Sequence, residues 1–256
     1  MGIVNVTPDS FFEGSQTLDP SVAIQRGRSL IDQGADMIDV GGESTRPGAD
    51  PVSIDEEIAR VIPVVEALAL AGACVSIDTR HAPVMAAAIN AGASVVNDIT
   101  ALQGDAQSVD VVASSGASVI LMHMQGEPGT MQDAPSYNDV VTQVGGYLVA
   151  RIRACEQAGI AKQRIAIDPG IGFGKALEHN LELMRNLHAF AGLGCSLVLG
   201  VSRKSFIGHL TGEADPAKRL TGSVAAALAG VAKGAKILRV HDVAETRQAL
   251  DVWAAV

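Results

Sequence analysis

The stretch CVSIDTRHAPVMAAAINAGASVVND, residues 74–98, reads as a strand, a helix and a second strand. Cys74 to Ile77 is a short β-branched run, Pro83 to Asn90 a helical segment, and Ser94 to Asn97 the next run. Both strands end on polar groups, Asp78 and then Asn97-Asp98. The same unit recurs in both directions. Upstream lie strands at Ile3–Val6 and Met37–Val40, with helices at Ser21–Gln33 and Ile54–Leu70. Ser53 and Glu56 read as a capping box opening the second of these. Downstream lie strands at Ser118–Met122, Arg164–Ile167, Ser196–Leu199 and Ala235–Arg239. Helices are expected near Gln107–Ser114, Asn138–Gln157, Glu178–Ala189, Pro216–Lys233 and Val243–Ala254.

Eight strand–helix units in a chain of 256 residues predict a single closed (β/α)8 barrel, with the site at the C-terminal ends of the strands. An open doubly wound sheet is the alternative. No linker or composition shift divides the chain, so residues 1–256 read as one domain. One Trp, two Tyr and five Phe leave the core to Ala, Val, Ile and Leu, which suits parallel strands under helices.

The formal charge of −9 argues against a nucleic-acid binder, which needs a basic face. No apolar run approaches the length of a membrane span, and MGIVNVTPDSFF has no signal-like segment. Cys74, Cys155 and Cys195 are odd in number and form no CxxC pair, so reduced thiols in the cytoplasm are expected. Three catalytic motifs fail. Gly170 to Lys175 resembles a phosphate loop, but Pro169 and Ala176 stand where it needs Gly and Ser or Thr. The histidines lack zinc-ligand spacing, and no GxSxG occurs.

Every strand end carries polar groups: Asn5; Glu43 to Arg46; Asp78 and Arg80; Asn97 and Asp98; His123; Asp168; Ser202 to Lys204; Arg239, His241 and Asp242. Arg46, Arg203, Lys204, Arg239 and His241 place positive charge on one rim of an acidic protein, which suits a phosphate or pyrophosphate. Ion pairs with Glu43 and Asp242 are the alternative for these cations, and a helix cap is the alternative for Asp78. Asp78, Asn97 and Asp168 suit a flat heterocycle with several N–H donors, with Lys204 meeting a ring oxygen or nitrogen.

The blocks NVTPDSF (5–11), DVGGESTRPG (39–48), DPGIGF (168–173) and SRKSF (202–206), with Asn97-Asp98, His123-Met124 and RVHD (239–242), resemble the dihydropteroate synthases. The likeness runs from Gly2 to near the C-terminus. It implies a transferase of folate synthesis that joins 6-hydroxymethyl-7,8-dihydropterin pyrophosphate to 4-aminobenzoate. It further implies a cytoplasmic homodimer inhibited by sulfonamides. Carried over residue by residue, Asn5 matches the magnesium position. Asp78, Asn97, Asp168 and Lys204 match the pterin pocket. Thr45, Arg239 and His241 match contacts to pterin or pyrophosphate. Arg46, Pro47, Phe11, Phe173 and Ser202 match the surroundings of the aminobenzoate. Asp78, Lys204, Arg239 and His241 are the expected catalytic groups. Loop one departs from the family: Phe12 and Glu13 follow Phe11 where Ser-Asp-Gly-Gly is usual, which bears on loop closure and sulfonamide response. Strand one also begins almost at Met1, where relatives carry a few more residues, so a less covered barrel base is expected. A pterin-dependent methyltransferase and a non-catalytic pterin-binding paralogue are the competing readings. Neither needs the full set of anion-binding cations.

Overall fold

In the computed structural model, which describes residues 1–7, 19–44, 52–127 and 129–256, parallel strands alternate with helices along the chain. The strands are β1 (Gly2–Asn5), β2 (Ile38–Gly41), β3 (Val75–Asp78), β4 (Val95–Asp98), β5 (Ser118–Met122), β6 (Ile165–Asp168), β7 (Ser196–Leu199) and β8 (Ala235–Leu238). They pair in sequence order in one parallel sheet. The Ile3 N–H donates to Val240 O at 3.0 Å and the Val240 N–H to Met1 O at 3.0 Å, which brings the chain after β8 onto β1 and closes the barrel. A register shift between Leu197 and Val198 marks the β7–β8 pairing.

The helices are α1 (Pro20–Asp32), α2 (Ile54–Leu70), α3 (Ala82–Asn90), α4 (Ser108–Ser115), α5 (Val140–Gln157), α6 (Leu177–Arg185), α7 (Leu187–Ala191), α8 (Ser205–Thr211), α9 (Leu220–Val231) and α10 (Val243–Ala255). α2 shows why these segments are helical. Ser53 Oγ accepts from the Glu56 N–H, three acids occupy the first turn, and Val61, Val64, Val65 and Leu68 form one buried stripe. Only half of the expected capping box is present, because the Glu56 carboxylate turns to Arg60 one helical turn on.

Three segments differ from the sequence reading. The expected helix 178–189 is divided at Asn186, whose side chain donates to Glu182 O at 2.9 Å and leaves the helical path. α8, unexpected in a loop of Arg, Lys and Gly, begins directly after Lys204 and stops at Gly212, whose φ of +78° closes it. The helix expected from Pro216 begins at Leu220, after a single 3-10 turn capped by Asp215.

Side chains alternate across each strand. The lower interior is apolar: Met1, Val95, Ile120 and Val198 pack with Met37, Cys74, Ala166 and Ile237. Two residues further along the same faces stand Asn97, Met122, Asp168, Gly200 and Arg239, so the interior turns polar as the strands reach their C-terminal ends. At the opposite end, a cavity of about 460 Å³ lies between β8, the α1–β2 turn and α10, lined by Met1, Met37, Ile237, Val243 and Leu250 among others.

Candidate active site

One guanidinium organises the mouth of the barrel. Arg239 follows β8; its Nε donates to Asp39 Oδ2 at 2.6 Å and its Nη2 to Asp78 Oδ2 at 2.6 Å. Asn97 Nδ2 donates to the same Asp39 oxygen at 3.1 Å. Asp78 therefore does not cap the next helix; His81 occupies the N-cap position of α3. Two carboxylates share one cation, and this shapes the titration of Asp78 and of Arg239 itself. Burial pushes the Asp78 carboxyl up to about 7, against the pull of Arg239 and with Asp39 adding to the rise. Burial opposes the charge of Arg239, but Asp39 and Asp78 hold its pKa above the ordinary value.

Asp168 and Lys204 face the mouth from the next strands. Burial raises the Asp168 carboxyl while Lys204 pulls it down, and Oδ1 accepts from the Gly170 N–H at 2.7 Å. Burial lowers the Lys204 ammonium to about 8, with Asp168 opposing. Lys204 Nζ donates to Ile171 O and stands 4.8 Å above the centre of the Phe173 ring. A Cβ on Gly200 would lie 3.9 Å from both Asp168 Oδ2 and Lys204 Nζ, so the glycine leaves space between the two charges.

The loop carrying Phe173 is pressed against the end of β5. A Cβ on Gly170, at φ +69°, would meet His123 O at 1.9 Å; one on Gly174, at φ +61°, would meet Gln125 O at 2.2 Å. Lys175 locks this contact. Its buried Nζ reaches His123 Nδ1 at 3.0 Å, His123 O at 3.3 Å and Phe173 O at 2.9 Å. Burial lowers Lys175 to about 7, and burial with the facing lysine lowers His123 to about 3.

The remaining cations divide into two groups. Arg203 is taken by Asp242, with Nε–Oδ2 at 3.0 Å and a second, shorter bond from Nη2. Arg80 forks onto both oxygens of Glu43 at 3.1 Å each. The ion-pair alternative thus holds for Arg203. His241 is placed by Ser202, whose Oγ accepts from the His241 N–H at 3.2 Å and lies 3.0 Å from Nδ1. Ser202, expected beside the aminobenzoate, therefore also holds the imidazole. Asn5 ends β1 at the same rim, half-buried, in register with Gly41. Phe11, Phe12, Glu13, Thr45, Arg46 and Pro47 lie outside the described residues.

A family model described as pterin binding enzyme matches residues 1–241. This chain belongs to the pterin-binding enzymes. Within that family it stands among the dihydropteroate synthases, which are transferases. It is 52% identical to the enzyme of Neisseria meningitidis serogroup B over 100% of its length and 92% of that protein. The corresponding figures for Escherichia coli K12 are 47%, 100% and 90%. The solved dihydropteroate synthase of Xanthomonas albilineans with 4-aminobenzoic acid superposes with a TM-score of 0.94, at 49% identity, over 99% of this chain and 91% of that one. A Yersinia pestis dihydropteroate synthase in a sulfonamide drug complex gives 0.94 at 44%, over 99% of this chain and 92% of that one.

Within this dihydropteroate synthase barrel, Asp78, Asn97, Asp168, Lys204 and Arg239 converge on one mouth, with Phe173 packed beside Lys204. Sequence reasoning missed Asp39 and Lys175. Asp39 sits inside a strand, two residues before the glycine that reaches the rim, so it does not read as a strand-end group. Its signal was a charged residue at an inward strand position. Lys175 was absorbed by the failed phosphate-loop reading.

Proposed function

We propose that this dihydropteroate synthase joins 6-hydroxymethyl-7,8-dihydropterin pyrophosphate to 4-aminobenzoate, giving 7,8-dihydropteroate and pyrophosphate. The single observation that carries the reading is the group of buried Asn97 and Asp168 with half-buried Asp78 and Lys204 around Arg239. Its carboxylates and carboxamide accept ring N–H donors, and Lys204 donates to a ring oxygen or nitrogen. A buried site of this kind rejects ligands that leave its polar groups unpaired.

The chemistry follows from the charges. The C–O bond between the pterin methylene and the diphosphate breaks, and the electron pair leaves with the diphosphate. Positive charge then spreads over the methylene and the pterin ring, where ionised Asp78 stabilises it. Arg239 and His241 hold the departing anion by charge-assisted hydrogen bonds. The aminobenzoate nitrogen forms the new C–N bond and loses one proton, so no strong protein base is required. Phe173 offers a flat apolar wall for the benzoate ring, and Lys204 above it a positive charge.

Asn5 fits a magnesium ion as a single protein ligand. No protein hydrogen bond claims its carboxamide among the described residues, and Mg2+ takes most of its oxygens from phosphate and water. When bound, the ion would neutralise charge on the diphosphate. Residues Thr45, Arg46, Pro47, Phe11 and Ser202 complete the proposed substrate contacts. We further propose a cytoplasmic homodimer inhibited by sulfonamides. Three unpaired cysteines suit a reducing compartment, and no helix among the described residues is long and apolar enough to cross a membrane.

The test is pyrophosphate release from the dihydropterin pyrophosphate with Mg2+, with and without 4-aminobenzoate. Release that depends on aminobenzoate, forms dihydropteroate and stops with chelator supports the reading. Pterin binding without release overturns it in favour of a binding protein. A parallel sulfonamide series reads out loop one with its Phe12 and Glu13.

A further inference from the structure

Asp39 lies beneath the site rather than in it. It is 0% exposed, at an inward position of β2 two residues below Gly41, and it touches no surface that a substrate reaches. A buried carboxylate is expensive to hold in an apolar interior. This one does not complete its own hydrogen bonding: Oδ1 has no partner among the described residues. Stability alone therefore does not account for it, since a well-packed apolar residue often serves as well or better.

What Asp39 does is geometric. Its Oδ2 accepts from Arg239 Nε at 2.6 Å and from Asn97 Nδ2 at 3.1 Å. Arg239 follows β8 and Asn97 belongs to β4, and neither strand pairs with β2. One oxygen thus ties together two sides of the barrel mouth. Binding Nε fixes the guanidinium plane and leaves the Nη edge directed at Asp78 and the mouth. Binding Nδ2 fixes the Asn97 carboxamide, turning Oδ1 into the acceptor offered to a ring N–H.

We propose that Asp39 is the positioning residue of the site, setting the Arg239 guanidinium and the Asn97 carboxamide through one shared oxygen. The inference rests on the dihydropteroate synthase reading for the identity of the ligands. Asp78 and Asp39 then have different parts. Asp78, partly exposed at the mouth, exchanges Arg239 for the pterin when substrate enters. Asp39 keeps its hold throughout. A misplacement of about 1 Å at such a site can lower the rate by roughly 100-fold, although Asp39 meets no reacting atom.

The experiment is Asp39→Asn, which keeps size and removes the charge. In 15N-labelled full-length protein without substrate, the Arg239 Nε–H, assigned by its absence in Arg239→Lys, should exchange slowly with water. That protection is expected to be lost in Asp39→Asn and retained in Asp78→Asn. In turnover, Asp39→Asn should lower kcat by roughly 100-fold and weaken 6-hydroxymethylpterin binding, with the KM for 4-aminobenzoate unchanged. Unaltered kcat and exchange in Asp39→Asn would overturn the proposal. So would a parallel loss of both KM values and thermal stability, which marks a merely structural residue. If Asp39→Asn does not fold, Asp78→Asn decides: loss of protection there assigns the hold to Asp78 and sinks the proposal. The exchange readout needs no substrate, so a wild-type protein that makes no dihydropteroate would refute the functional reading while leaving this one to be judged separately.

Discussion

Burial moves Asp78 and Lys204 toward each other, one pushed up to about 7 and the other down to about 8. Asp78 must be ionised to meet ring N–H donors and a cationic pterin, so activity rises with pH through about 7. Lys204 must keep its proton to donate, so activity falls above about 8. The expected profile of kcat/KM for the dihydropterin substrate is a narrow bell, measured on the free enzyme's variables. Asp78→Asn should lose the limb near 7 as well as most of the rate. Lys204→Ala should lower kcat/KM by roughly 10²–10³, by analogy with removal of one preorganised donor, with an unchanged circular dichroism spectrum. Full activity in that variant would remove Lys204 from the mechanism. Both residues were legible because they end strands or begin the loops after them, where a barrel keeps its chemistry. Asp39 was not, because a charge inside a four-residue strand looks like part of the ladder until its partners on distant strands are seen.

The element that shapes the site most closely is the connection from β6 to α6. Gly170 combines a φ of +69° with a backbone oxygen at 1.9 Å from any Cβ. Gly170→Ala should destabilise the protein by about 1–3 kcal/mol from backbone strain, more if the carbonyl cannot move, and should raise KM values because Phe173 and the Lys204 contact at Ile171 travel with the loop. Gly146 in α5 is the control: nothing lies within 4 Å of its Cβ position, and Gly146→Ala should stabilise by about 0.5–1 kcal/mol. Thermal melts of the two variants check both signs. A Gly170→Ala melt equal to wild type would show that the loop is not held as described. The eight-unit alternation was readable because β-branched runs and helical segments differ in period. α8 was hidden because its seven residues are too few to display one, and the break at Asn186 depends on a side-chain bond that no periodicity records.

At the scale of the whole molecule, a protein of charge −9 must draw in a diphosphate. Arg239 and Lys204 at the mouth supply the local attraction, and salt screens it over about 10 Å at 0.1 M. The KM for the dihydropterin pyrophosphate should rise with ionic strength by a larger factor than that for singly charged 4-aminobenzoate. Equal factors would mean that the rim field plays no part in capture. The barrel explains why residues from every part of the sequence meet here: parallel strands deliver all their ends to one face. It also means that the shared Asp39 oxygen joins residues 39, 97 and 239, which the gene scatters across most of its length. A compound that bears on Asn97 and Arg239 together meets a corner where one exchange disturbs two contacts. Single-step escape from such a compound should carry a loss of growth, unlike changes confined to a peripheral wall of the pocket.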